Sequence, residues 1–180
     1  MVYSYKDLLI ELGSRASIEK ALKNRELFRL KNGIYSDNDM IDPIVIISKK
    51  YTNAIITMDS AFYYYNLTDV IPQKIHVATS RNARKINDQE VIQYYLTDNI
   101  LNQGKTQVEV QGVLVNMYDK ERLLIELIRK RASIPFDYYK EIIDNYRKIS
   151  YELDMSKIEE YVALFKNEVG LFNILQREVF

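Results

Sequence analysis

Cysteine is absent from the 180 residues, which excludes disulfides, thiolate metal sites and a cysteine nucleophile together. Histidine occurs once, so a histidine-rich metal site has no material to form. Tryptophan is missing too, although tyrosine occurs 15 times. Formal net charge is zero, so the molecule as a whole does not attract nucleic acid, and only a local patch could. No apolar run approaches the roughly 20 residues that span a bilayer. The opening MVYSYKDLL lacks a basic segment followed by an apolar one, so it does not read as a signal peptide. The expectation is a cytoplasmic chain with no membrane partner. Hydrophobic residues make up 47%, enough for the core of one domain, or one domain with a small appendage.

Charge is unevenly spread. Residues 1–36 hold seven bases (Lys6, Arg15, Lys20, Lys23, Arg25, Arg29, Lys31) against four acids (Asp7, Glu11, Glu19, Glu26). Residues 150–180 reverse that balance, with six acids against three bases. A basic head points to an anionic partner near the N-terminus.

Within that head, RELFRLKNGIYS carries Asn32-Gly33 between two short apolar stretches, the strongest short-range hairpin signal. A two-residue turn predicts Lys31 opposite Ile34, Leu30 opposite Tyr35 and Arg29 opposite Ser36. Alternation then places Phe28, Leu30 and Tyr35 on one face, and Arg29 and Lys31 on the other. Such a ribbon is marginal alone, so its apolar face must cover something. Two short helices precede it. In SYKDLLIELG, Ser4 is the expected N-cap, Leu8, Leu9 and Leu12 the inner face, and Gly13 the stop. In SIEKALKNRE, Ile18, Ala21 and Leu22 face inward, opposite Ser17, Lys20, Lys23 and Asn24.

Helix, sharp turn, helix and basic-tipped hairpin is the order of a short winged helix-turn-helix. In that module the second helix enters the major groove while the wing touches the backbone. Lys and Arg supply phosphate attraction, and Asn and Ser can read base edges. The plain alternative is that Lys20, Lys23, Arg29 and Lys31 only solvate a surface.

Downstream, Asp42-Pro43 starts a helix reaching about Tyr51. NAIIT reads as a buried strand, DSAFYYYN as a helix opening at Asp59, and KIHVATS as an alternating strand. VIQYYLT, TQVEVQ and VLVNMY are three further strands, the last two joined near Gln111-Gly112. From Asp119 the chain is helical: DKERLLIELIRKR, then FDYYKEIIDNYRK, then SKIEEYVALFKNEVG with a Ser156–Glu159 capping box and a stop at Gly170. The fold class is α+β: residues 1–37 as the winged helix, and 38–180 as a mixed α/β domain with a small sheet and a helical C-terminal part.

Chemical constellations are thin. Asp98 with Glu109 and Gln111 loosely resembles a metal-dependent nuclease set, but Gln stands where lysine is expected, and strand alternation explains Glu109. His76 reads as a partly buried structural residue. Arg122 and Glu126, four apart on one helix, read as a structural ion pair. Tyr63, Tyr64 and Tyr65, with Tyr94 and Tyr95, could stack bases, although three consecutive helical tyrosines point three ways. No catalytic set, metal or cofactor is expected, and the chain does not read as an enzyme.

Three segments together carry a resemblance. RELFRLKNGIYS, IITMDSAFYYYNLTDVIPQKIHVAT and YDKERLLIELIRKR resemble, in order and spacing, the wing, central segment and Glu-Arg helix of the AbiEi antitoxins. These are the antitoxin half of the type IV toxin–antitoxin pairs of bacterial abortive infection. The resemblance implies a winged helix that represses its own operon at promoter inverted repeats. It also implies a larger domain that neutralises a nucleotidyltransferase-like toxin without requiring a tight complex. DNA contacts would fall on Arg15, Ser17, Lys20, Lys23, Asn24, Arg29 and Lys31, and an antitoxicity surface on Ser60, Asp69, Glu121 and Arg122. The family's winged helix often begins one helix earlier than this chain does. A winged-helix regulator, or a protein- or RNA-interaction module unrelated to any toxin, is the alternative reading.

Overall fold

The computed structural model describes residues 1–180 as an α+β chain of nine α-helices and two small sheets. A three-stranded sheet has the order β1-β3-β2, from Val2–Ser4 (β1), Phe28–Lys31 (β2) and Ile34–Ser36 (β3). The other five strands are Ile55–Ile56 (β4), Ile75–Ser80 (β5), Val91–Leu96 (β6), Lys105–Val110 (β7) and Val113–Tyr118 (β8), ordered β6-β5-β4-β8-β7. No helix is long and apolar enough to cross a membrane.

One compact unit comprises Met1–Ala54 with Gln107–Asn116. Its first helix, Tyr5–Leu12 (α1), starts on a reciprocal cap: Ser4 Oγ accepts from the Asp7 N–H, and the Asp7 carboxylate accepts from the Ser4 N–H. Gly13 ends it in the left-handed conformation, with φ 76°. Arg15–Lys23 (α2) follows, capped by Ser14. Leu8, Ile18, Leu27 and Tyr35 form the buried centre, with Leu12, Ala21 and Leu22 packed against it. The buried Leu8, Ile18 and Leu27 each contribute about 1.5–3 kcal/mol by leaving water.

Several local expectations change. Leu9 is exposed rather than inward, because the α1 face that meets the core is narrow and Leu8 fills it. Leu27, just before β2, is buried, whereas Phe28 and Leu30 are only half-buried. Lys31 pairs with Ile34 as expected, but a register shift between Arg29 and Lys31 sets Arg29 opposite Tyr35 and Phe28 opposite Ser36. That irregularity moves Leu30 out of alternation. At the turn only Gly33 takes a positive φ, 81°; Asn32 does not. The unexpected β1 pairs antiparallel with β3, Tyr3 opposite Tyr35, so the hairpin gains a third strand ahead of α1.

The unit extends beyond residue 37 because Pro43–Lys50 (α3) packs on β1 and β3. Asp42 caps α3 with Pro43 in its first turn, as the sequence predicts. The β7–β8 turn uses Gln111 at φ 49° and Gly112 at φ 76°, the doubly positive pair that suits a tight hairpin. Gln111 is held there: its side chain accepts from the Asp42 N–H at 2.9 Å and donates to the Met40 carbonyl at 3.3 Å.

The second unit comprises Ile55–Thr106 and Met117–Phe180. β5 pairs antiparallel with β4 and parallel with β6, and its residues 75–79 are all buried. Burial of successive residues means that both faces of the strand are covered by packed layers, so the expected alternation is absent. Met58–Tyr64 (α4) begins at Met58 rather than Asp59. Asp98–Leu101 (α5) is a short helix that the sequence pattern does not announce.

Lys120–Lys130 (α6) is the central helix, buried from Glu121 through Ile128 on every face. Phe136–Lys148 (α7), Met155–Ala163 (α8) and Glu168–Glu178 (α9) complete the unit. The cap of α8 is Asp154, which accepts from the N–H groups of Ser156 and Lys157, so Ser156 lies inside the helix instead of capping it. Gly170 falls within α9 and stops nothing.

Candidate nucleic-acid interface

α2 is short enough that each side chain has one clear direction. Ile18 sits in the core, and 100° per residue then turns Lys20 and Lys23 to the opposite, solvent face, where both are exposed. Arg15, Glu19 and Leu22 lie on the flank between. That flank and the hairpin enclose a cleft of about 480 Å³, to which the hairpin contributes Arg29, Asn32 and Gly33. Arg15 and Arg29, 14 positions apart in sequence, therefore line one cleft.

The cations are not equivalent. Arg15 Nε donates to Glu19 Oε1 at 2.8 Å, an exposed i,i+4 pair of small energetic weight. The Arg29 guanidinium lies 5.7 Å from the Tyr35 ring centroid, which steers the exposed side chain along the sheet. Lys31 is half-buried at the base of the turn. Lys20 and Lys23 stand on the last turn of α2, exposed on the face away from the core. The polar candidates are already engaged: Ser17 is half-buried with its Oγ 2.9 Å from Ser14 Oγ, and Asn24 Nδ2 donates to Glu26 at 3.3 Å. Two exposed bases, Arg15 on α2 and Arg29 on the hairpin, thus line a cleft containing one carboxylate, that of Glu19.

The hairpin is fastened to this helix pair. The Tyr5 N–H donates to the Gly33 carbonyl at 3.0 Å, and the Tyr5 and Tyr35 rings are 6.4 Å apart. Lys49 Nζ lies 3.0 Å from Asp7 Oδ2. The main-chain hydrogen bond from Ser4 and, after it, the Lys49 contact lower the Asp7 pKa to about 2.

Of the four residues expected to form an antitoxicity surface, three are interior. Ser60 is buried and its Oγ accepts from the His76 N–H at 2.9 Å. Glu121 is buried and accepts from the Asp154 N–H. Arg122 is fully buried: it meets Glu126 through Nε and Nη2, at 3.1 and 2.8 Å, and donates through Nη1 to the carbonyls of Ile100 and Gln103. These side chains bind the fold together and present no surface to a partner. Only Asp69 is exposed.

The remaining residues fall as follows. Asp98 accepts from Ser80 Oγ at 2.6 Å, and Glu109 is exposed on β7. None of Tyr63, Tyr64 and Tyr65 is fully buried, the core position in that helix being Phe62. His76 is buried on β5 with Nδ1 3.1 Å from the Tyr94 hydroxyl. Loss of water lowers its pKa, against a smaller opposite pull from Asp59. Compared with protein-family models the chain matches none, and no curated protein matches it.

Proposed function

We propose that the chain is a DNA-binding antitoxin of the AbiEi type. In this reading its N-terminal unit is a short winged helix that represses its own operon, and the protein neutralises a nucleotidyltransferase-like toxin. The observation that carries the DNA-binding half is the meeting of exposed Arg15 on α2 and Arg29 on the hairpin at one cleft, with Lys20 and Lys23 exposed on the outer face of the same helix. α2 takes the role of recognition helix and β2–β3 that of the wing, with β1 completing the wing sheet. Lys20 and Lys23 approach phosphates beside the major groove, while Arg15 and Arg29 reach the backbone from the cleft. Ser17 and Asn24 are engaged within the protein and contribute less than the bases. Antidote activity is assigned to the chain through exposed residues such as Asp69, and needs neither a metal nor a cofactor.

The test is a gel shift with the chain's own promoter, together with growth rescue on co-expression with the neighbouring gene. The full-length Lys20→Ala/Lys23→Ala variant is expected to shift the promoter much more weakly and keep the rescue. A shift unchanged in that variant removes α2 from the reading; rescue absent from the wild type removes the toxin.

A further inference from the structure

We propose that the cavity between α4, β5, β6 and α7 in the second unit binds a free α-amino acid with a small apolar side chain. This site is independent of the DNA-binding reading. The cavity measures about 210 Å³, room for about seven waters' share of liquid volume and so for a ligand the size of valine.

Two opposite charges line it without meeting each other. Asp59 contributes a carboxylate whose Oδ2 lies 3.6 Å from His76 Nε2, beyond hydrogen-bond length. Lys130 contributes an ammonium that rests 4.6 Å from the Tyr94 ring centroid and forms no ion pair. Tyr138, also on the lining, has a hydroxyl shielded from solvent between Asp59 and Thr68, without a well-aligned hydrogen bond to either. Buried polar groups are ordinarily satisfied, so a poorly aligned hydroxyl beside an unpaired cation and a loosely paired anion makes a polar cluster able to take a ligand with both charges. Met58, immediately before Asp59, is held at φ 46°, a conformation that L-residues avoid and that tends to mark functional positions.

The arrangement selects the ligand. An ion of either sign would match one charge and leave the other opposed. A zwitterion adds no net charge: its carboxylate takes Lys130 and the Tyr138 hydroxyl, and its ammonium takes Asp59. Met58, Ile134 and Pro135 supply apolar wall for the side chain. His76 completes the polar side, with Nδ1 3.1 Å from the Tyr94 hydroxyl and Nε2 facing Asp59.

The chain's single histidine lines the cavity, so its ring NMR signal reports occupancy without assignment. Titrating the full chain with L-valine is expected to move that signal saturably. N-acetylvaline and valinamide each lack one charge and are expected to bind about ten-fold or more weakly. Lys130→Met is expected to weaken valine by a similar factor. Tyr138→Phe removes the poorly aligned hydroxyl, so it is expected to weaken valine while leaving the melting temperature unchanged or higher. No movement of the signal at large molar excess of valine overturns the proposal. So do equal affinities for the blocked analogues, or valine binding unchanged in Tyr138→Phe.

Discussion

The Tyr5 N–H donates to the Gly33 carbonyl over 3.0 Å, joining the first residue of α1 to the tip of the β2–β3 hairpin. The donor is one of the N–H groups that a helix start leaves unpaired. The acceptor belongs to the residue whose positive φ makes the turn. One bond thus satisfies a helix end and fixes where the basic hairpin points.

Gly33→Ala tests that turn. A Cβ at Gly33 meets nothing within 4 Å, but φ is 81°, so the cost is backbone strain alone, about 1 kcal/mol. Thermal unfolding of the first unit is expected to shift down by a few degrees. An unchanged melting temperature contradicts the turn geometry.

Asp7 gives a pH dependence with a definite sign. Its folded pKa of about 2 lies below the ordinary 3.8, so its stabilising contribution is complete above the ordinary value. That contribution disappears as pH falls through about 2. The carboxylate side chain is 43% exposed, and screening keeps the effect modest. Asp7→Asn is expected to be less stable than wild type at pH 6, with the gap closing between about pH 4 and pH 2. A gap that is constant across that window contradicts the assignment.

Arg122 and Glu126 are a buried pair, at 0% and 3% side-chain exposure. Removing one partner strands the other, a loss of about 3–5 kcal/mol in such pairs. Here Arg129 also reaches Glu126 at 2.8 Å, which places Arg122→Met toward the lower end. The Arg122→Met/Glu126→Met double variant is expected to lose less than the sum of the two single variants in denaturant midpoint. Additive losses contradict the pairing. Gly104→Ala is expected to be severe as well, because its Cβ would sit 2.5 Å from Arg122 Cβ.

What the sequence made legible was whatever local chemistry determines. The stop at Gly13, the Asp42-Pro43 start and the Gln111-Gly112 turn depend on residues within a few positions of one another, and all three are present. The Arg122–Glu126 pair was readable from i,i+4 spacing, but its burial was not, because neighbouring helices impose it. The same distant packing buries Ser60 and Glu121, which is why an expected surface became interior. β1 has three residues and no periodicity of its own; only its partner β3 makes it a strand. On α2 the outer face of Lys20 and Lys23 follows from helical spacing, whereas the meeting of Arg15 with Arg29 in one cleft requires the folded hairpin.

The most direct measurement of the central claim is the salt dependence of promoter binding by wild type and the full-length Lys20→Ala/Lys23→Ala variant. Each lost phosphate contact lowers the slope of log affinity against log salt by about 0.9. A variant with weaker binding and a slope smaller by about 2 is the predicted result. Equal affinity and an equal slope for the two proteins would contradict it.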